Sequence, residues 1–324
     1  VSPAALARRR ADASVETFSG ETMGTRWSAR IAAPEDGLSQ DTQRAIERTL
    51  AGVNAEMSHW DRGSDISRVN HSPVYEWQPL PPAFSHVLGA AMDVARRSGG
   101  SFDPAMGRLS DLWGFGPSGP REGIPEDADI AKALAASGVA GVEYDKPLLR
   151  VRRSRPVWFD FSGIAKGYAV DALAAALRAL GLTDFLVEIG GELVGEGIRP
   201  DGQPWWVDIE MPPDVAVAPL RVALHGIAVA TSGDYMRSIE HDGRRYAHTI
   251  DPRSGAPIDS GVRSVTVLHR ECMLADAWAT ALTVLGPDGM TLAERESLAV
   301  QMVIGRGTMV SERISPALEA MLSD

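Results

Sequence analysis

The stretch "DFSGIAKGYAVDALAAALRALGLTDFLVEIGGELVGEGI", residues 160–198, contains the succession of elements that sets the fold class. It begins inside a predicted strand, "PVWFDFSGI" (156–164), and turns at Ser162-Gly163. A helix follows directly over 165–182, then an apolar strand over 184–198 interrupted by Gly190-Gly191. Strand-length apolar runs on either side of a helix-length one belong to a mixed α/β (α+β) architecture.

The flanking sequence extends this pattern. "TRWSARIAA" (25–33) reads as a first strand. "DTQRAIERTLAGVNAEMSHW" (41–60) has helical spacing, with Ile46, Leu50, Val53 and Met57 on one face. A second helix over 81–100 is closed by Gly99 and Gly100, a Gly/Pro-rich loop covers 114–129, and a short helix follows over 128–139. Strands are predicted at 204–211, 220–233 and 263–270, then a helix over 271–286. A strand pair around Arg306-Gly307 and a final short helix end the chain. Residues 1–16 are polar and read as a tail, and 17–324 as a single domain.

Bulk properties narrow the function. A net charge of −11 over 324 residues argues against a broad nucleic-acid footprint, which needs a basic face. No apolar run reaches the roughly 18 residues of a membrane-spanning helix. One cysteine, Cys272, excludes an internal disulfide and a multi-cysteine metal site. The chain starts without Met or an apolar signal core, as expected of a trimmed or mature form.

Several segments carry groups suited to chemistry. Lys166 and Gly167 fall in the first turn of the helix after Ser162-Gly163. Unpaired N–H groups and a lysine there suit a phosphate, and the same pattern also serves an ordinary strand–helix joint. This segment is neither a Walker loop nor a GxGxxG fingerprint, and "GGELVGEG" (190–197), glycine-rich but with the wrong spacing, reads as a strand with a bulge. His248 precedes the turn "DPRSG" (251–255). Histidine is the natural proton acceptor for an alcohol nucleophile, and a surface histidine beside a loop fits the same spacing. Thr231, Ser232 and Gly233 end a strand, where hydroxyls bond a ligand or cap a turn. Met23, in "ETMGTRW" (21–27), is placed to pack on a flat ring or in the core. Asp276 and Thr280 lie four apart inside the apolar helix "ECMLADAWATALTVLG" (271–286) and share a face. Carboxylate and hydroxyl oxygens are hard ligands suited to Mg²⁺; a buried Asp that accepts Thr280 or backbone donors is the other reading.

In order along the chain, "ETMGT", "MSHWDRGSDISRVN", "FDPAMGRL", "FSGIAKGYAVD", "VEIGGELVGEG", "DGQPWWVDIE", "ATSGDY", "HTIDPRSGAPI" and "ADAWATAL" resemble the ApbE family of FAD:protein FMN transferases. Each motif alone is weak, but the ordered set, spanning 21–282, is specific. The resemblance implies a mixed α/β fold with one cleft, FAD as substrate and Mg²⁺ as cofactor. The implied reaction transfers FMN through a phosphoester to a threonine of a target protein and releases AMP. A metal-dependent FAD pyrophosphatase and a non-enzymatic flavin-binding protein are the competing readings.

Residue by residue, the resemblance implies Asp276, Thr280 and the Gly163 carbonyl as metal ligands, His248 as catalytic base and Lys166 beside the pyrophosphate. It also implies Met23 at the adenine side, and Asp103, Glu188, Ser232 and Gly233 along the FAD cleft. Trp60 stands where the family often has tyrosine and keeps an aromatic face for stacking. Arg108 stands where a proline is usual, which loosens that loop. The implied acceptor carries an Asp-x-x-Thr-Gly-Ala-Thr motif and is a subunit of a membrane redox complex. This chain lacks that motif, so self-flavinylation is not expected. The implied compartment is the periplasm, with any signal or lipid anchor in a removed N-terminal segment.

Overall fold

The computed structural model describes residues 6, 9, 11–212, 215, 217, 219–233, 238–306 and 309–323. Half of the expected tail (1–5, 7, 8 and 10), positions 234–237 after "ATSG", and Gly307 of the expected Arg306-Gly307 turn lie outside those residues.

The chain opens with strands β1 (Val15–Thr22) and β2 (Thr25–Ala32), followed by helices α1 (Gln40–Met57) and α2 (Asp65–His71). Next come β3 (Gln78–Pro79), α3 (Pro82–Arg97), α4 (Gly107–Leu112) and α5 (Asp127–Ala135). Then follow β4 (Val142–Asp145), β5 (Arg150–Arg153), α6 (Ala165–Ala179), β6 (Phe185–Ile189) and β7 (Glu192–Glu196). After these run β8 (Trp205–Asp208), β9 (Arg221–Leu224), β10 (Ile227–Gly233), β11 (Ser238–His241), β12 (Arg244–Ala247) and β13 (Val262–His269). The chain ends with α7 (Cys272–Leu285), α8 (Gly289–Arg295), β14 (Ala299–Arg306), β15 (Met309–Ile314) and α9 (Pro316–Ser323).

Among the described residues, eight strands form the main sheet, in the order β1-β2-β6-β7-β10-β13-β14-β15. Every neighbouring pair in it is antiparallel. Side chains alternate between its two faces. Ala29, Val187, Val194, Ala230, Val265 and Met302 point to the large core shared with α1, α6 and α7. Leu186, Leu193, Val229 and Leu268 point to the other face, where Trp205, Leu224 and Leu318 cover them. α7 is buried nearly all round, because it is held between the sheet and its neighbouring helices.

Four local readings of the sequence change. "VETFSGET" is a strand, and Met23-Gly24 forms the two-residue turn of the β1–β2 hairpin, with φ of 51° and 71°. Its polar residues at a sheet edge hide the usual alternation. The helix read over 41–60 ends at Met57, so His59 and Trp60 fall in the following loop. No strand forms at 156–164; there the side-chain amide of Asn70 takes both backbone groups of Phe159, accepting its N–H at 2.7 Å and donating to its carbonyl at 2.9 Å. Finally, Gly190-Gly191 is not a bulge but a hairpin turn between β6 and β7, with φ of 63° and 100° and Ile189 opposite Glu192. Positive φ at both central residues is what a two-residue hairpin of the primed type requires.

Candidate active site

The start of α6 and the first half of α7 meet against β7 and β10. Gly167 lets them touch: a Cβ there would sit 2.3 Å from the carbonyl oxygen of Cys272. Gly163, in the turn before α6, lies against α7 about two turns further on, where a Cβ would stand 2.9 Å from Thr280 Oγ1. Asp160 braces this turn by accepting the Ser162 N–H at 2.9 Å.

This packing gathers five of the expected residues. The Gly167 N–H donates to Asp276 Oδ2 at 3.0 Å. Thr280 Oγ1 lies 3.3 Å from Ser232 Oγ, whose side chain comes up from β10. Lys166 Nζ forms an ion pair with Glu192. Gly163, Lys166, Ser232, Asp276 and Thr280 therefore share one corner, together with Glu192, which the sequence reading did not single out.

The electrostatics of the corner are those of two carboxylates sharing one ammonium. Burial pushes the Asp276 carboxyl up, against the pull of Lys166 and the Gly167 N–H. Burial also raises Glu192, and Asp276 adds to the rise while Lys166 opposes it. For Lys166, burial works to lower the ammonium, but Glu192 and Asp276 outweigh it and hold it above its ordinary value. Among the described residues Glu192 Oε2, which is buried, has no hydrogen-bond partner. An orphaned carboxylate oxygen beside Asp276 leaves negative charge uncompensated. Asp276, the Thr280 hydroxyl and the neighbouring Gly163 backbone offer the hard oxygens that Mg²⁺ takes. Among the described residues no three His, Cys, Asp or Glu side chains converge. A cation here would rest on few protein oxygens and complete its shell with water and ligand phosphate.

The other expected residues lie on different elements. Glu188 is on β6 with its side chain on the opposite face of the sheet from Asp276. It accepts from Ser28 Oγ at 3.4 Å and lines a cavity of ≈ 300 Å³ with Arg30, Leu193, Trp206 and Thr231. Gly233 is buried at the end of β10, opposite Ser264. Asp103 is engaged by backbone, accepting from the N–H groups of Ala105 at 2.8 Å and Val139 at 3.0 Å. Met23 packs on the core from its hairpin turn. Trp60 is 49% exposed, its ring tilted against that of His59 with centroids 5.4 Å apart. His248 follows β12, and Phe115 meets its ring edge-on at 6.2 Å.

Two further acidic groups organise the surroundings. Asp160 pairs with His59 at 3.4 Å, both side chains about nine-tenths buried. Burial opposes the Asp160 charge, but His59, Ser110 and Ser162 prevail and hold its carboxyl below the usual range. Asp171, on α6, accepts the first N–H groups of α7, from Cys272 at 2.9 Å and Met273 at 2.8 Å. Glu192 had a readable signal, since Gly-Gly between apolar runs is a hairpin turn and puts Glu192 on the face of Ile189. Asp171 had none, because its partner lies about a hundred residues away in sequence.

The ApbE family profile matches residues 23–304. A protein of Vibrio cholerae named FAD:protein FMN transferase is 35% identical over 309 residues, covering 94% of this chain and 92% of that protein. The Escherichia coli K12 protein of the same name is 32% identical over 313 residues, covering 95% and 89%. Among solved structures, the apo flavinyl transferase ApbE of Pseudomonas stutzeri superposes with a TM-score of 0.88 at 37% identity, covering 96% of this chain and 98% of that one.

Proposed function

The chain belongs to the ApbE family, and on that premise we propose that it is an enzyme that transfers FMN from FAD to an acceptor protein and releases AMP. The observation that carries the reading is the corner where Lys166, Glu192 and Asp276 meet beside Gly163 and Thr280, inside the matched region. Its cationic and oxygen groups are those that binding a pyrophosphate requires.

Asp276, Thr280 and the Gly163 carbonyl would hold Mg²⁺. When bound, that ion supplies charge neutralisation for phosphoryl transfer. Lys166, kept protonated by its two carboxylates, attracts and orients the pyrophosphate of FAD. Ser232 holds the Thr280 hydroxyl in direction. His248 accepts the proton of the acceptor hydroxyl as its oxygen forms a bond to the FMN phosphorus, and the bond from that phosphorus to the AMP oxygen breaks. The acceptor group we infer is a threonine in a motif of the Asp-x-x-Thr-Gly-Ala-Thr kind, on a subunit of a membrane redox complex outside the cytoplasm. Support for those details is the ordered motif resemblance.

The experiment is incubation with FAD and Mg²⁺, with and without a protein carrying that motif, read by intact mass. Gain of one FMN on the acceptor, abolished by chelator, is the expected result. Free FMN and AMP without acceptor would make it a pyrophosphatase, and intact bound FAD in both tubes would overturn the reading.

A further inference from the structure

Asp171 has no part in the chemistry above, yet it sits at the joint between the two helices that carry it. α7 begins after Glu271, whose side chain makes no capping bond. The first N–H groups of a helix lack partners within the helix. Here both oxygens of Asp171, from α6, accept the N–H groups of Cys272 and Met273 at 2.9 and 2.8 Å. In return Asp276, from α7, accepts the Gly167 N–H near the start of α6 at 3.0 Å. Each helix thus caps the other.

The reciprocal caps fix more than the helix ends. Between them, the backbone of Gly167 lies against Cys272, with no room for even a methyl group. Two caps and a backbone contact leave α7 neither sliding nor rotating freedom along α6. Asp276 is the fifth residue of α7, immediately after the turn that Asp171 closes. Fraying of that turn would release Asp276 first and Thr280 a turn later.

We propose, resting on the reading of this corner as the FMN-transfer centre, that Asp171 is a positioning residue for it. By capping α7 from α6, Asp171 sets where Asp276 and Thr280 stand opposite Gly163 and Lys166. It thereby sets the affinity for a divalent cation without touching cation or FAD.

The test is titration with Mn²⁺ alone, together with thermal melting, on the full chain and three variants. Asp171→Ala removes both acceptors. Asp171→Asn keeps one and serves where the alanine variant fails to fold. Ser315→Ala is the control: Ser315 Oγ accepts the N–H groups of Val300 at 2.9 Å and Leu318 at 3.3 Å, at the start of α9 on the other face of the sheet. Partners that orient metal ligands cost about 10- to 100-fold in affinity when removed, and that loss is expected for Asp171→Ala, with a smaller one for Asp171→Asn. Ser315→Ala should melt earlier with Mn²⁺ affinity unchanged. Asp171 variants that melt earlier but bind Mn²⁺ as the parent does would reduce the residue to a stability element and overturn the proposal. A parent chain that binds no Mn²⁺ would instead overturn the reading of the centre, and the proposal with it.

Discussion

Gly167 donates its backbone N–H to Asp276 Oδ2 at 3.0 Å, so the carboxylate at the heart of the corner is also the cap of the preceding helix. Asp276 has two duties, and two substitutions separate them. Asp276→Asn keeps an oxygen for the Gly167 N–H and removes the charge. FMN transfer should then fall by at least about 100-fold, more than the loss of a group that merely orients a ligand, while the fold persists. Asp276→Ala should also leave the Gly167 N–H unpaired, a further cost of about 1–3 kcal/mol. Initial rates by intact mass and melting of both variants check this. Wild-type transfer by Asp276→Asn would remove the residue from the metal site.

His248 presents the opposite case, a residue whose loss should leave the corner intact. It stands against Phe115, on a different loop from α6 and α7. His248→Ala should therefore bind FAD with affinity within a few-fold of the parent while transfer falls by about 10²- to 10⁴-fold, the usual yield of a general base. Fluorescence titration of FAD beside transfer kinetics separates the two quantities. Undiminished transfer would end the proposed role.

Legibility in the sequence followed the range of the interactions. Asp276 and Thr280 could be read because helical spacing of four makes neighbours of residues close in sequence. Lys166 could be read because a helix start is local. Glu192 is hidden by reading Gly190-Gly191 as a bulge: in a continuous strand Glu188 and Glu192 share a face, but the hairpin at Gly190-Gly191 reverses the chain and puts Glu192 with Ile189, toward Lys166. The same reversal leaves Glu188 on the far face, beside Trp206 and Arg30. The extended stretch around Phe159 looked like a strand because its backbone needs are those of a strand, but they are met by Asn70, about ninety residues earlier. β1 is not legible, since an edge strand with polar residues on both faces gives no period to detect.

The two glycines that face α7 should respond differently to a methyl group. At Gly167 the added Cβ meets backbone, the Cys272 carbonyl at 2.3 Å, which has no flexible end to move aside. Gly167→Ala should push the helices apart and destabilise by about 1–3 kcal/mol or more. At Gly163 the nearest atom is Thr280 Oγ1 at 2.9 Å, a side chain that can rotate. Gly163→Ala should cost less stability but displace the hydroxyl, weakening Mn²⁺ binding out of proportion to its melting temperature. Chemical denaturation and Mn²⁺ titration of both variants check the contrast; equal losses of stability would mean that Thr280 is held as rigidly as the backbone.

Asp171 gives the pH prediction. Burial pushes its carboxyl up to about 6, against the two N–H groups it accepts and with Glu271 adding to the rise. An unfolded aspartate titrates near 3.9, so between about pH 4 and 6 the folded chain holds a proton that the unfolded chain has released. Stability from this group is complete below that window and is lost as pH rises through it. The difference of about two pH units corresponds to roughly 3 kcal/mol. Asp171→Asn removes the titration while leaving every other group in place. The melting temperature of the parent, minus that of Asp171→Asn, should therefore shrink as pH rises from 4 to 7 and then level off. A difference that grows over that range would reverse the sign. It would mean that the two α7 N–H groups outweigh burial, so that the cap works as a carboxylate throughout.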